Sequence, residues 1–195
     1  MAESYGDRII SLVEQMKHNG EAMCIWMNIP LARQALDLIR TIPDEEGESP
    51  LSKAYACNAV MEHLSEYDTP RLGQEILRQE LEFLLVSDEK SDWLTEESVL
   101  ADIERLEAYI DPDHISNEEF SAKYGRTLKF DPIERTQIWE DNIYNAESAA
   151  FGLLADTPRG KGFYHAHWPV LQRVLALRGI PWKTPHQLNP KVMFD

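Results

Sequence analysis

The stretch TPRLGQEILRQELEFLLVS, residues 69–87, decides the fold. It opens on Thr69-Pro70, a capping residue followed by a proline at the first helical position, where the missing N–H has no partner to lose. Leu72, Ile76, Leu77, Leu81, Leu84 and Leu85 then recur at helical spacing and form the strongest apolar stripe in the chain. Glu75, Arg78 and Glu82 fall on the opposite, solvated face. A stripe of this kind needs other helices to bury it, which predicts an all-α fold.

The neighbouring segments agree. Upstream, Ser49-Pro50 repeats the same start, and Leu51, Ala54, Tyr55, Asn58, Met61 and Leu64 extend a helix to about residue 67. Downstream, Thr95 caps a helix through Val99, Leu100, Ile103, Leu106 and Ile110. A first helix over about 4–18 carries Ile9, Leu12, Val13 and Met16 and stops at Asn19-Gly20. Pro30 opens another, to about residue 41, followed by a solvated acidic loop at 44–48. Residues 22–29 are apolar and short, so they read either as a strand of one short pair or as buried helix. Ser116 with Glu119 makes a capping box for a short helix ending at Gly125. Asp131-Pro132 with Glu134 makes a second, opening a long helix to about residue 154. A last helix is expected near 168–178, stopped by Gly179. Pro181, Pro185 and Pro190 then predict an extended tail, 180–195, over the surface. The expectation is one compact array of seven or eight helices in a single domain, 1–195, with any sub-division falling near 111–115 at Asp111-Pro112-Asp113.

Composition sets the class. The 195 residues carry 34 Asp and Glu against 19 Lys and Arg, a formal net charge of −15. The split is uneven: from residue 158 onward there is one acid, Asp195, and six bases, so that segment is +5 and the body −20. With 43% hydrophobic residues the chain can build a core, and its eighteen aromatic residues exclude a merely solvating acidic polymer. Cys24 and Cys57 lack metal-type spacing and read as reduced core residues. No leader pattern and no membrane-length apolar run occurs, which makes the cytoplasm the expected location. Net negative charge disfavours direct binding of nucleic acid or anionic lipid, which need clustered bases. It favours a basic partner, although acidity can serve solubility alone.

The densest acidic run lies at 88–119. There Asp88, Glu89, Asp92, Glu96, Glu97, Asp102, Glu104 and Glu107 are the candidate binding residues for such a partner. Like charges this close oppose compaction, and a basic surface would relieve them. The opposite pole is Arg159-Gly160-Lys161-Gly162-Phe163-Tyr164-His165-Ala166-His167-Trp168. Arg159 and Lys161 with two glycines could hold an anion, although a flexible basic loop is the plainer account. His165, His167 and Tyr164 are the candidate proton carriers, weighed against simple packing or surface roles. An H-x-H pair shares a metal only in an extended segment, so no metal and no cofactor is expected. No Glu stands three residues before any His, which removes the di-iron helix motif, and no serine sits in a G-x-S-x-G elbow. His63 and Glu66 read as an exposed helical ion pair.

The leading functional expectation is an acidic protein-binding protein of the inhibitor, immunity or nucleic-acid-mimic kind. It would dock a basic surface on a toxin or a nucleic-acid-processing protein. The alternative is an enzyme acting on a small anionic substrate at 159–168. A third arrangement, self-association through the two poles, shares the same electrostatics.

Overall fold

Several helices begin where a side chain captures a backbone N–H, but Thr69, expected to cap the helix from Pro70, makes no such bond and donates its hydroxyl to the Ser65 carbonyl instead. Ser4 Oγ accepts from the Asp7 amide at the start of α1 (Tyr5–Glu21), and Ser49 Oγ accepts from Ser52 at the start of α3 (Pro50–Met61). Helix α2 is Asn28–Thr41, α4 is Pro70–Val86 and α5 is Glu96–Ile110, with Thr95 Oγ1 accepting from the Ser98 amide. Helices α6 (Asn117–Tyr124), α7 (Gln137–Leu153), α8 (Tyr164–Leu177) and α9 (Pro185–Leu188) complete the chain. The computed structural model describes residues 4–43 and 49–194, and the predicted acidic loop at 44–48 lies outside them. Among the described residues all regular structure is helical, and the chain divides into two compact units, Met1–Glu107 and Ala108–Asp195.

In the first unit α3 packs most extensively on α4, and α1, α2 and α3 pack on one another. Leu77 and Leu84 of α4 meet Leu51 and Ala54 of α3 and Val99, Ile103 and Leu106 of α5 in one buried cluster. Gly73 permits the approach of α5, since a Cβ there would stand 3.2 Å from Leu106 Cδ1. Residues 22–29 form no strand among the described residues: Ile25–Met27 is a single 3-10 turn and α2 starts at once. Asn28 explains this, because its fully buried amide donates to the carbonyls of Met16 and His63 at 2.9 and 2.7 Å. The reversal before it falls on Met23, whose φ of 59° is the one left-handed non-glycine among the described residues.

Helix α3 ends at Met61, six residues short of the expected end. The next turns tighten to i→i+3 bonds, with His63 N donating to Val60 O and Leu64 N to Met61 O. His63 therefore shares no helical face with Glu66, and Glu66 binds Arg105 at 2.7 Å instead.

In the second unit α7 packs on α8. The Asp131 capping box forms, but it opens only the 3-10 turn Pro132–Arg135. Thr136 then caps α7 separately by accepting from the Trp139 amide. Helix α8 starts at Tyr164, so Pro169 lies inside it rather than at its head. The C-terminal stretch is not a surface strap. Ile180 and Trp182 are 1% and 6% exposed, and a Thr184–Gln187 capping box closes the single turn α9. Trp182 Nε1 donates to Glu134 and the Lys183 amide to Asp131, so capping residues of one segment anchor another.

Candidate functional site

The acidic candidates separate into two groups. Asp102 binds Arg105 at 2.8 Å, Glu107 binds Arg78 at 3.0 Å and Glu96 binds Lys90 at 3.4 Å. Burial alone would lower the Arg105 pKa, but its hydrogen bonds to the Glu66 and Asp102 carboxylates outweigh it and hold the guanidinium firmly charged. These pairs spend their charge within the first unit. Glu104 is exposed on α5. Asp88, Glu89, Asp92 and Glu97 are also exposed, and among the described residues no ion pair reaches them. All four lie on the loop between α4 and α5 or in the first turn of α5, where Glu97 also complements the helix dipole.

This loop is braced by its own bonds. Ser87 Oγ accepts from the Glu89 amide, and Ser91 Oγ accepts from the Leu94 amide at 3.0 Å. Leu94 is sunk in the core, and its neighbour Trp93 is 61% exposed. The indole lies flat on Tyr55 of α3, with ring centroids 5.1 Å apart and planes 11° from parallel. Leu85 and Val86 at the end of α4 and Leu100 on α5 are exposed as well. Sequence reading passed over Trp93. An indole in a loop of Ser, Asp, Glu and Lys was the available signal.

The basic segment does not gather into one site. His167 is buried, and its Nε2 lies 2.6 Å from Glu147 Oε2. The imidazole packs against Phe163 and Phe151, at 5.6 and 5.1 Å between centroids. Arg159 covers the Phe151 ring at 4.9 Å, a cation–π contact. His165 is exposed and its nearest ring neighbour is His186, at 6.4 Å. Tyr164 stacks on Trp168 at 5.1 Å. Because His165 and His167 sit two apart on helix α8, they point in different directions, and only His167 meets an acid. Gly160 and Gly162 adopt φ of 141° and 82°, which shape the turn into α8, and exposed Lys161 lies between them. Among the described residues no three His, Cys, Asp or Glu side chains cluster as a metal set. Glu147 is the partner that sequence reading did not identify. Twenty residues and a helix reversal separate it from His167, and only the packing of α7 on α8 joins them.

One interior feature was also unforeseen. Glu80 of α4 is fully buried, and among the described residues neither carboxylate oxygen has a hydrogen-bond partner. Desolvation, reinforced by Asp102, pushes its pKa up to about 8, so it keeps a proton at neutral pH. Burial also pushes the Cys57 thiol well up, with Glu80 adding to the effect, so Cys57 is an inert core group. In the second unit a cleft of about 690 Å³ opens beside α6 and residues 126–132. Among the described residues no helix is long and apolar enough to cross a membrane. No protein-family model matches the chain, and no curated protein and no solved structure matches it either.

Proposed function

We propose that this chain is a protein-binding protein that docks a basic surface on the loop between α4 and α5 and the first turn of α5. The observation that carries the reading is the exposed Trp93, held flat on Tyr55 in a self-braced loop beside the unspent carboxylates of Asp88, Glu89, Asp92 and Glu97. Interfaces draw most of their energy from a few aromatic or Arg anchors, and complementary charge around them speeds and orients encounter. A loop ordered before binding loses little entropy on docking. Inhibitors, immunity proteins and nucleic-acid mimics share this physical logic, and a basic groove of a toxin or nucleic-acid enzyme is the matching partner class. The enzyme reading draws less support, because Arg159 packs on Phe151 and His165 stands apart from the Glu147–His167 pair.

The test is capture from lysate at low salt with three baits: the native chain, Trp93→Ala, and the triple reversal Asp88→Lys, Glu89→Lys, Asp92→Lys. A basic protein held by the native chain, released by raised ionic strength and lost by both variants is the expected result. Equal capture by all three baits, or retention indifferent to salt, refutes the proposal.

A further inference from the structure

The loop between α4 and α5 holds one large aromatic ring in a fixed pose. Trp93 lies parallel to Tyr55, with planes 11° apart, so Tyr55 covers one face of the indole. At 61% exposure the opposite face is open to water. The backbone beneath the ring is pinned. The Trp93 and Leu94 amides both donate to Ser91 Oγ, at 3.4 and 3.0 Å, and Leu94 is buried in the core.

An indole face is electron-rich and attracts a cation. The chain supplies none. Lys90, the base of this loop, is paired with Glu96 at 3.4 Å, and among the described residues no Lys or Arg lies over Trp93. Acceptors for a bound cation stand close in the chain, since Asp88, Glu89, Asp92 and Glu97 are exposed and no ion pair among the described residues reaches them. Apolar side chains flank the same loop: Leu85 and Val86 immediately precede it, and Leu100 lies one turn into α5, all three exposed.

This mixture of ring, acid and apolar surface distinguishes one cation from another. An ammonium is a compact, strongly hydrated charge, and apolar neighbours strip water that it holds tightly. A guanidinium is planar and weakly hydrated, and it can stack by its face while its edge N–H groups donate to carboxylates.

We infer that the partner's anchor at Trp93 is an arginine. Its guanidinium lies on the open indole face, above Tyr55, and its edge donates to carboxylates of the loop, with Asp92 the nearest in sequence. The inference rests on the loop being a docking site for a basic surface and goes beyond it, because lysines alone would satisfy the carboxylates.

The test uses two end-blocked hexapeptides of equal charge, one alternating glycine with arginine and the other glycine with lysine. Each is titrated at low ionic strength into the full isotope-labelled chain and followed by amide and indole N–H chemical shifts. Both are expected to shift residues 88–97, with the arginine peptide binding roughly fivefold tighter. Trp93→Leu is expected to abolish that preference and to leave the affinity for the lysine peptide within about twofold of native. A preference below about twofold on the native chain, or one that survives in Trp93→Leu, overturns the arginine anchor while docking of a basic surface still stands. No shift at 88–97 from either peptide below about 10 mM also overturns it, and capture from lysate by the native chain then decides the docking reading on its own.

Discussion

Glu80 in the first unit and Glu147 in the second are both carboxylates withdrawn from water, and the two interiors accommodate them by opposite means. Among the described residues the Glu80 carboxylate has no hydrogen-bond partner, and desolvation with Asp102 nearby keeps it protonated. Glu147 faces His167 Nε2 at 2.6 Å, in a shell of Phe151 and Phe163. The first arrangement is sensitive to pH, because alkali forces a charge into an apolar core. The second is sensitive to deletion, because removing either member strands the other. A buried acid is therefore a different kind of liability in each unit.

The contrast is most exposed to a change of pH. The folded-state pKa of Glu80 lies above the unfolded value, from 4.5 to about 8, so its stabilising contribution is whole below about 4.5 and drains away as pH rises through about 8. Up to about 5 kcal/mol is lost over that window. Urea titrations of the full chain between about pH 5 and pH 9, read by hydrogen exchange in α4, should show the decline, and Glu80→Gln should flatten it. A Gln variant with the native slope would place the sensitivity elsewhere.

Next in size is a matched pair of substitutions to methionine. Glu147→Met leaves His167 without its partner and is expected to cost about 3 kcal/mol at neutral pH. Glu80→Met replaces a carboxylate that makes no hydrogen bond, so it should be neutral or stabilising. Equal losses in denaturant titrations of the two variants would erase the distinction between the interiors.

The smallest effect concerns the surface. Trp93→Ala removes an exposed stack on Tyr55 and strands no buried group, so about 1 kcal/mol is expected. A loss as large as that of Glu147→Met in the same titration would make the indole a structural strut, and its role as a docking anchor would fail.

Helix starts were legible because capping is short-range chemistry. Ser49, Thr95, Ser116 and Asp131 each act on an amide two or three residues away, and each was readable from spacing. Helix ends were set from further off. Helix α3 stops where the His63 carbonyl is taken by Asn28, 35 positions earlier. The last helix was expected to start near 168, yet α8 begins at Tyr164 with Pro169 inside it. Trp182 was read as part of a surface strap, but its bond to Glu134 spans 48 positions. The acidic run at 88–107 was visible in composition. Which of its members are spent on Arg78, Lys90 and Arg105 depended on the packing of α4 and α5. The Glu147–His167 pair and the isolation of Glu80 were equally out of reach, since both depend on which helix faces which.

Arg135, only 1% exposed, donates to the carbonyls of Ala108, Tyr109 and Asp111. The Ala108 and Tyr109 oxygens lie in the last turn of α5, where no helical N–H remains to meet them. The residue that satisfies Ala108 comes 27 positions later in the chain. During synthesis that turn must wait roughly one to five seconds for its guanidinium to emerge. Through that interval the Ala108 and Tyr109 carbonyls rely on water, so the end of α5 is a point where a growing chain can still fray, rewind or be caught by a chaperone.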